Sequence, residues 1–276
     1  RADMLKDVTL GQFFPGQTPI HKLDPRTKLV LVIVYIVALF LAKWFVSYVV
    51  IAAFLAIVIA MSKIRLKVVL KNLKPLLFII ILTALLNLFY GQGEPIAQFW
   101  IFKITKSGIQ NAVFMVLRIS LLVAGTFMLT YTTSPIALTD GLESLLSPLK
   151  KLHAPVHELS MMMSIALRFI PILLEETDKI MKAQLARGAD FESGNIIQRA
   201  KSMIPILVPL FVSAFRRAND LAMAMEARCY RGGDGRTKMK PLRYCSRDYM
   251  AYVVVIVYLI LVVAVGRFIK IKFWIF

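Results

Sequence analysis

Two cysteines in 276 residues, Cys229 and Cys245, cannot build a disulfide framework, and both are read as free thiols. Acidic residues are scarce too: 16 Asp and Glu stand against 34 Lys and Arg, a formal net charge of +18. Between Asp24 and Asp140 the one acidic residue is Glu94. Carriers driven by protons or sodium ions ordinarily need Asp, Glu or His within the membrane, and this stretch offers none. No Gly-x-x-x-x-Gly-Lys-Ser/Thr run is present to cradle nucleotide phosphates, so any energy for transport has to come from another subunit. Metal clusters, Cys/His pairs and paired carboxylates at one membrane depth are missing as well, which disfavours a membrane enzyme. His153 and His157 lie four apart, but Pro155 interrupts them and no third ligand is evident, so they are read as structural. No short hydrophobic segment followed by a small-residue cleavage site precedes the first long apolar run, and a removed signal peptide is not expected.

What the chain does have is apolar length. Of its residues 58% are AVILMFWYC, and the mean hydropathy is +0.70. A greasy, basic chain fits an integral membrane protein with cytoplasmic basic loops better than a nucleic-acid-binding protein, which would not carry such long uncharged runs. About 20 apolar residues cross the hydrocarbon as a helix. The uncharged runs 44–62 and 75–93 hold 19 residues each, 119–139 holds 21 and 249–266 holds 18. Leu29–Ala42 has only 14, with Lys28 and Lys43 placed to snorkel at its ends. One helix over 29–61 would be about 50 Å long, too much for one crossing, so two spans are expected to turn near Lys43 and Trp44. No glycine or proline marks that turn, since both are absent from Arg26 to Lys74. The expected fold is therefore an all-α polytopic membrane protein with about five spans, near 29–42, 44–62, 75–92, 109–131 and in 248–276, plus a region of two long helices in 132–247.

Orientation follows the basic loops. Lys63, Arg65, Lys67, Lys71 and Lys74 share a segment with no acid, which places that loop inside, with the N-terminus. Residues 132–247 then also lie inside, with 17 Lys and Arg against 11 Asp and Glu. Arg267, Lys270 and Lys272 at the outer end of the last span run mildly against the rule. Within 132–247 two long helices are expected, near 156–188 and 195–229. They form a loose repeat: each contains Ile-Pro-Ile-Leu, and each closes on Ala-Arg, as Ala186-Arg187-Gly188 and Ala227-Arg228-Cys229. Gly188 is the expected stop of the first, and the glycines from Gly232 to Gly235 that of the second. In the second helix Ile204, Leu207, Val208, Phe211, Phe215, Ala218, Ala222 and Met225 recur at helical spacing.

Arginine forks onto carboxylates and stays charged in a protein, so one at each of two helix ends suits docking into acidic pockets. The plainer alternative is that both merely offset the helix dipole, for about 0.3–1 kcal/mol. Arg118, inside the fourth apolar segment, is either a polar functional site, with Asn87 or Asn111 as acceptors, or a snorkelling residue. Eight of the 13 methionines fall in 132–247, and gap-filling is favoured over an adaptable partner surface.

The run His21-Lys22-Leu23-Asp24-Pro25-Arg26-Thr27-Lys28-Leu29, followed by spans, two Ala-Arg-tipped helices and a final span, resembles the transmembrane T component of energy-coupling factor transporters, the family that includes the cobalt-transporter Q subunit. The resemblance covers nearly the whole chain. It implies a non-catalytic scaffold in a bacterial or archaeal cytoplasmic membrane. Its partners would be two ABC-type ATPase subunits, which bind ATP and Mg, and a membrane-embedded S component that binds the vitamin or transition-metal ion. This chain would hold no cofactor of its own and bind no nucleic acid. Ala186, Arg187, Gly188, Ala227 and Arg228 would dock the ATPases; Cys229 stands where the family pattern has glycine. A self-contained channel or facilitator lined by Arg118 is the alternative.

Overall fold

The computed structural model describes residues 13–42, 44–89, 95–99, 102–152, 155–191, 193, 195–232, 239 and 241–268. They fall into two compact units, 11–142 with 242–276, and 143–241.

The first unit is a helical bundle that holds four of the five helices long and apolar enough to cross a membrane among the described residues. α1 (Pro25–Leu41) opens on a strong start signal: the Asp24 side chain accepts from the Arg26 backbone N–H, and Pro25 sits at the first helical position, where it loses no hydrogen bond. α2 (Phe45–Ser62) follows α1 after the short break at 42–44, and closes on Lys63 at φ 56°. α3 (Leu66–Leu73) leads through a 3₁₀ turn into α4 (Leu77–Phe89). A hairpin of β1 (Pro95–Phe99) and β2 (Phe102–Thr105), antiparallel, is the one β element among the described residues. α5 (Lys106–Thr132) starts under the Thr105 side chain, which caps the Gly108 N–H, and α6 (Pro135–Leu146) follows. α10 (Ser246–Phe268) is the last helix among the described residues.

Tyr35, Ala38 and Leu39 of α1, Tyr48 and Ile51 of α2, and Val255, Tyr258 and Val262 of α10 form one buried cluster. Leu55, Ile59, Val69, Ala124, Met128 and Tyr131 form a second. Tyr35 reaches α5 because Gly125 leaves space: a Cβ there would lie 2.3 Å from the Tyr35 ring. The Tyr35 hydroxyl donates to the Leu121 carbonyl at 2.8 Å. Large apolar side chains such as Phe78, Ile81, Ile256 and Ile260 stay exposed, as a lipid-facing surface requires.

The second unit holds α7 (Val156–Ala186), α8 (Ile196–Ser202) and α9 (Ile204–Ala227). α7 and α9 are tied by an Arg217–Glu176 ion pair at 3.0 Å and by a bond from Gln184 to the Pro205 carbonyl at 3.4 Å. The helix expected over 195–229 is two helices, broken at Met203. Pro205, which a single helix over 195–229 would hold in its interior, stands in the first turn of α9 instead, where a missing N–H costs nothing. The prolines inside helices here are Pro171 and Pro209.

Among the described residues five helices are long and apolar enough to cross a membrane, and the protein is a multi-pass membrane protein. The five are not quite those expected: 45–62, 66–89, 106–132, 156–186 and 246–266 qualify by length and composition. α1, expected from the sequence as a span, has 17 residues and a length of about 26 Å and is not among them, and α7 qualifies because its apolar start runs on without a break.

Candidate functional site

The two Ala-Arg ends have the same backbone architecture. At the end of α7, Arg187 is the capping residue (φ −85°, ψ 3°), and Gly188 follows in the left-handed region at φ 85°. The Gly188 N–H donates to the Leu185 carbonyl and the Ala189 N–H to the Gln184 carbonyl, both at 3.0 Å. At the end of α9, Arg228 is the capping residue (φ −94°, ψ 15°), and Cys229 follows at φ 55°. The Cys229 N–H donates to Glu226 at 2.8 Å and the Tyr230 N–H to Met225 at 3.0 Å. Each pair is the doubly bonded left-handed helix stop that closes the last carbonyls of a helix.

This corrects the stop expected at Gly232 to Gly235. Gly232 does have φ 90°, but α9 has already ended, and residues 233–238 lie outside those described. Cys229 takes the conformation that glycine takes in the first repeat, at a steric cost of about 1 kcal/mol for a Cβ-bearing residue. No neighbour would meet a Cβ on Gly188 within 4 Å, so the backbone angle, not space, favours glycine there.

Arg187 and Arg228 are exposed, as are Ala186 and Ala227. Among the described residues neither guanidinium forms an ion pair. Each therefore presents a full charge and a free fork of donors at the end of a rigid helix.

Arg118 is placed differently. Its Nε donates to the Tyr48 hydroxyl at 3.0 Å and its Nη2 to the Ala42 carbonyl at 3.4 Å, with the Phe40 and Tyr48 rings about 6 Å away. Asn87, one expected acceptor, donates to Thr83 within its own helix instead. The guanidinium thus satisfies a carbonyl at the end of α1, at the turn that carries neither glycine nor proline. His157 bonds Glu143 at 3.0 Å, and Ser160 donates to the other Glu143 oxygen at 2.9 Å. His153 lies outside the described residues.

A cluster that the sequence reading passed over surrounds the opening motif. The Asp248 carboxylate, 2% exposed, accepts from the Asp24 N–H at 2.9 Å and the Cys245 N–H at 2.8 Å, and so joins the starts of α1 and α10. Lys28, also buried, donates to the carbonyl of Thr132 at 2.8 Å and of His21 at 3.0 Å, closing the end of α5. Arg26 pairs with Asp24 at 2.9 Å and stacks on Tyr244 at 4.1 Å. Burial alone would raise the Asp24 carboxyl, but hydrogen bonds from the Arg26 guanidinium and backbone N–H outweigh it and hold the group below its ordinary value. The signal was present in the sequence, since Asp before Pro is a helix-start pattern.

Apolar helices long enough to cross a membrane define a polytopic membrane protein, and two of its exposed helix ends carry a capping arginine. Comparison with known proteins narrows this class. The CbiQ family, described as cobalt transport protein, matches residues 16–239. The energy-coupling factor transporter transmembrane protein EcfT of Clostridium kluyveri is 55% identical over 250 residues, 90% of this chain and 93% of its own length. Its counterpart in Thermosediminibacter oceani is 55% identical over 249 residues (90% and 94%), and that of Bacillus subtilis 47% over 255 (92% and 96%). The chain belongs to this family, the transmembrane T components of energy-coupling factor transporters, and is thus one part of a larger transport complex.

Proposed function

We propose that the chain is the mechanical link of an ATP-driven importer. Arg187 and Arg228 dock two ABC-type ATPase subunits, one at each helix end, and ATP and Mg reside in those subunits, not in this chain. Closure of the ATPases moves α7 and α9, and their apolar sides pass the motion to a membrane-embedded S component carrying the vitamin or transition-metal ion. The observation that carries this reading is the repeated stop: two exposed, unpaired arginines on identical backbone scaffolds. A single dipole-offsetting arginine would need no such repetition. Five exposed apolar residues of α9, Leu207, Val208, Phe211, Val212 and Phe215, are suited to an apolar membrane partner. The N-terminus and the α7–α9 region face the cytoplasm of a bacterium or archaeon, in keeping with the basic 63–74 segment. Arg118, the lining residue of the channel alternative, gives donors to the Tyr48 hydroxyl and the Ala42 carbonyl, which favours the coupling reading.

The test is purification of the tagged chain from its native membrane, with mass spectrometry of what accompanies it and ATPase assays. Two ATPases and a small membrane protein are expected with the wild type. Arg187→Glu/Arg228→Glu should release the ATPases and abolish ATP-dependent uptake, by setting like charges against acidic pockets. Full uptake by the double variant would overturn the proposal.

A further inference from the structure

The segment between α2 and α4 has no part in the mechanism above, yet it is strongly one-sided in charge. Lys63, Arg65, Lys67, Lys71 and Lys74 are all exposed, and the segment contains no acid. Among the described residues none of the five forms an ion pair. α3 gives these charges a fixed setting. Val69, 4% exposed, lies in the cluster with Ile59 and Met128, and Asn72 donates to the buried Tyr131 hydroxyl, which pins one side of the helix to the bundle.

Leu66 and Leu70 share a second side and are 62% and 66% exposed. Lys67 and Lys71 share a third, about a quarter-turn further round. α3 and α4 together form a 24-residue stretch, about 36 Å long, which exceeds the roughly 30 Å of hydrocarbon. One end of that stretch therefore emerges among the headgroups, and the charged end is α3. An apolar stripe beside a cationic stripe at that depth is the pattern of a helix lying in the membrane interface.

We propose that α3 and its flanking cations bind anionic phospholipid, with Leu66 and Leu70 against the acyl chains and Arg65, Lys67 and Lys71 on the headgroup phosphates. The occupant follows from charge complementarity and from the junction with a membrane-crossing helix. The inference rests on the membrane reading alone and stands independently of the ATPases and the S component.

Native mass spectrometry of the full chain, titrated in detergent with phosphatidylglycerol or phosphatidylcholine, tests it. The wild type should retain phosphatidylglycerol preferentially. Each base near an anionic surface is worth about fivefold in affinity, so Arg65→Gln/Lys67→Gln/Lys71→Gln should lower the preference at least about tenfold. The control Lys179→Gln/Lys201→Gln/Arg216→Gln removes equal charge from the other unit and should leave the preference intact. All six side chains are exposed, so both variants are expected to fold. No preference in the wild type, an undiminished one in the α3 variant, or equal losses in both variants would overturn the proposal. Intact lipid preference with loss of co-purifying proteins from the α3 variant would make the segment a protein-docking surface and would equally reject it.

Discussion

Three cations at helix ends and turns of the first unit and the two at the ends of α7 and α9 are used in opposite ways. In the bundle, Arg26, Lys28 and Arg118 are turned inward, each against carbonyls, carboxylates or rings, and they hold helix ends together. In the other unit, Arg187 and Arg228 stand exposed beyond helices that are already closed by their own backbone bonds. A cation whose donors are satisfied internally contributes to the fold. One left unpaired on a finished helix end is available to a partner.

Breaking the bundle should have the largest effect. Gly125→Val would force a Cβ into the Tyr35 ring, and little folded protein should reach the membrane; a wild-type yield of monodisperse protein on size exclusion would refute the close approach. Next comes Lys28→Met, which leaves the Thr132 and His21 carbonyls without their donor and should cost about 3 kcal/mol, seen as a drop in thermal midpoint in detergent. An unchanged midpoint would mean that Lys28 does not close α5. Cys229→Gly should go the other way, adding about 0.5–1 kcal/mol at the end of α9 by relieving the left-handed strain, with hydrogen exchange at the amides of positions 229 and 230 as the local readout. Smallest for stability are Arg187→Ala and Arg228→Ala, each within about 1 kcal/mol of wild type, the value of a cation at a helix end. If either destabilised the chain as much as Lys28→Met, the contrast between the two regions would collapse.

Four of the long apolar helices, 45–62, 66–89, 106–132 and 246–266, were legible because about 20 uncharged residues in a row admit few other structures, whereas the 14-residue run 29–42 gave a helix below that length and 156–186 was expected outside the spans. The Ala-Arg ends were legible as a repeated pattern. The stop at Cys229 was not, since cysteine carries no preference for positive φ and the later glycines gave a stronger signal. The break at Met203 was hidden for a related reason: Pro205 fits either a kink or a helix start, and only the path of the chain distinguishes them. Nor could the partners of Arg118 be read locally, because Tyr48 and Ala42 lie 70 and 76 residues away.

By itself the sequence determined the membrane class, most of the long apolar helices, the excess of cations and the two arginine-tipped helices, all of which follow from local composition and spacing. The tertiary structure decided which cations are internal fasteners and which are free. Burial and hydrogen bonding depend on residues brought together from distant parts of the chain. Lys28 against Thr132 and Asp24 against Asp248 become neighbours only when α1, α5 and α10 pack, and Arg187 and Arg228 are left over once the backbone has closed their helices.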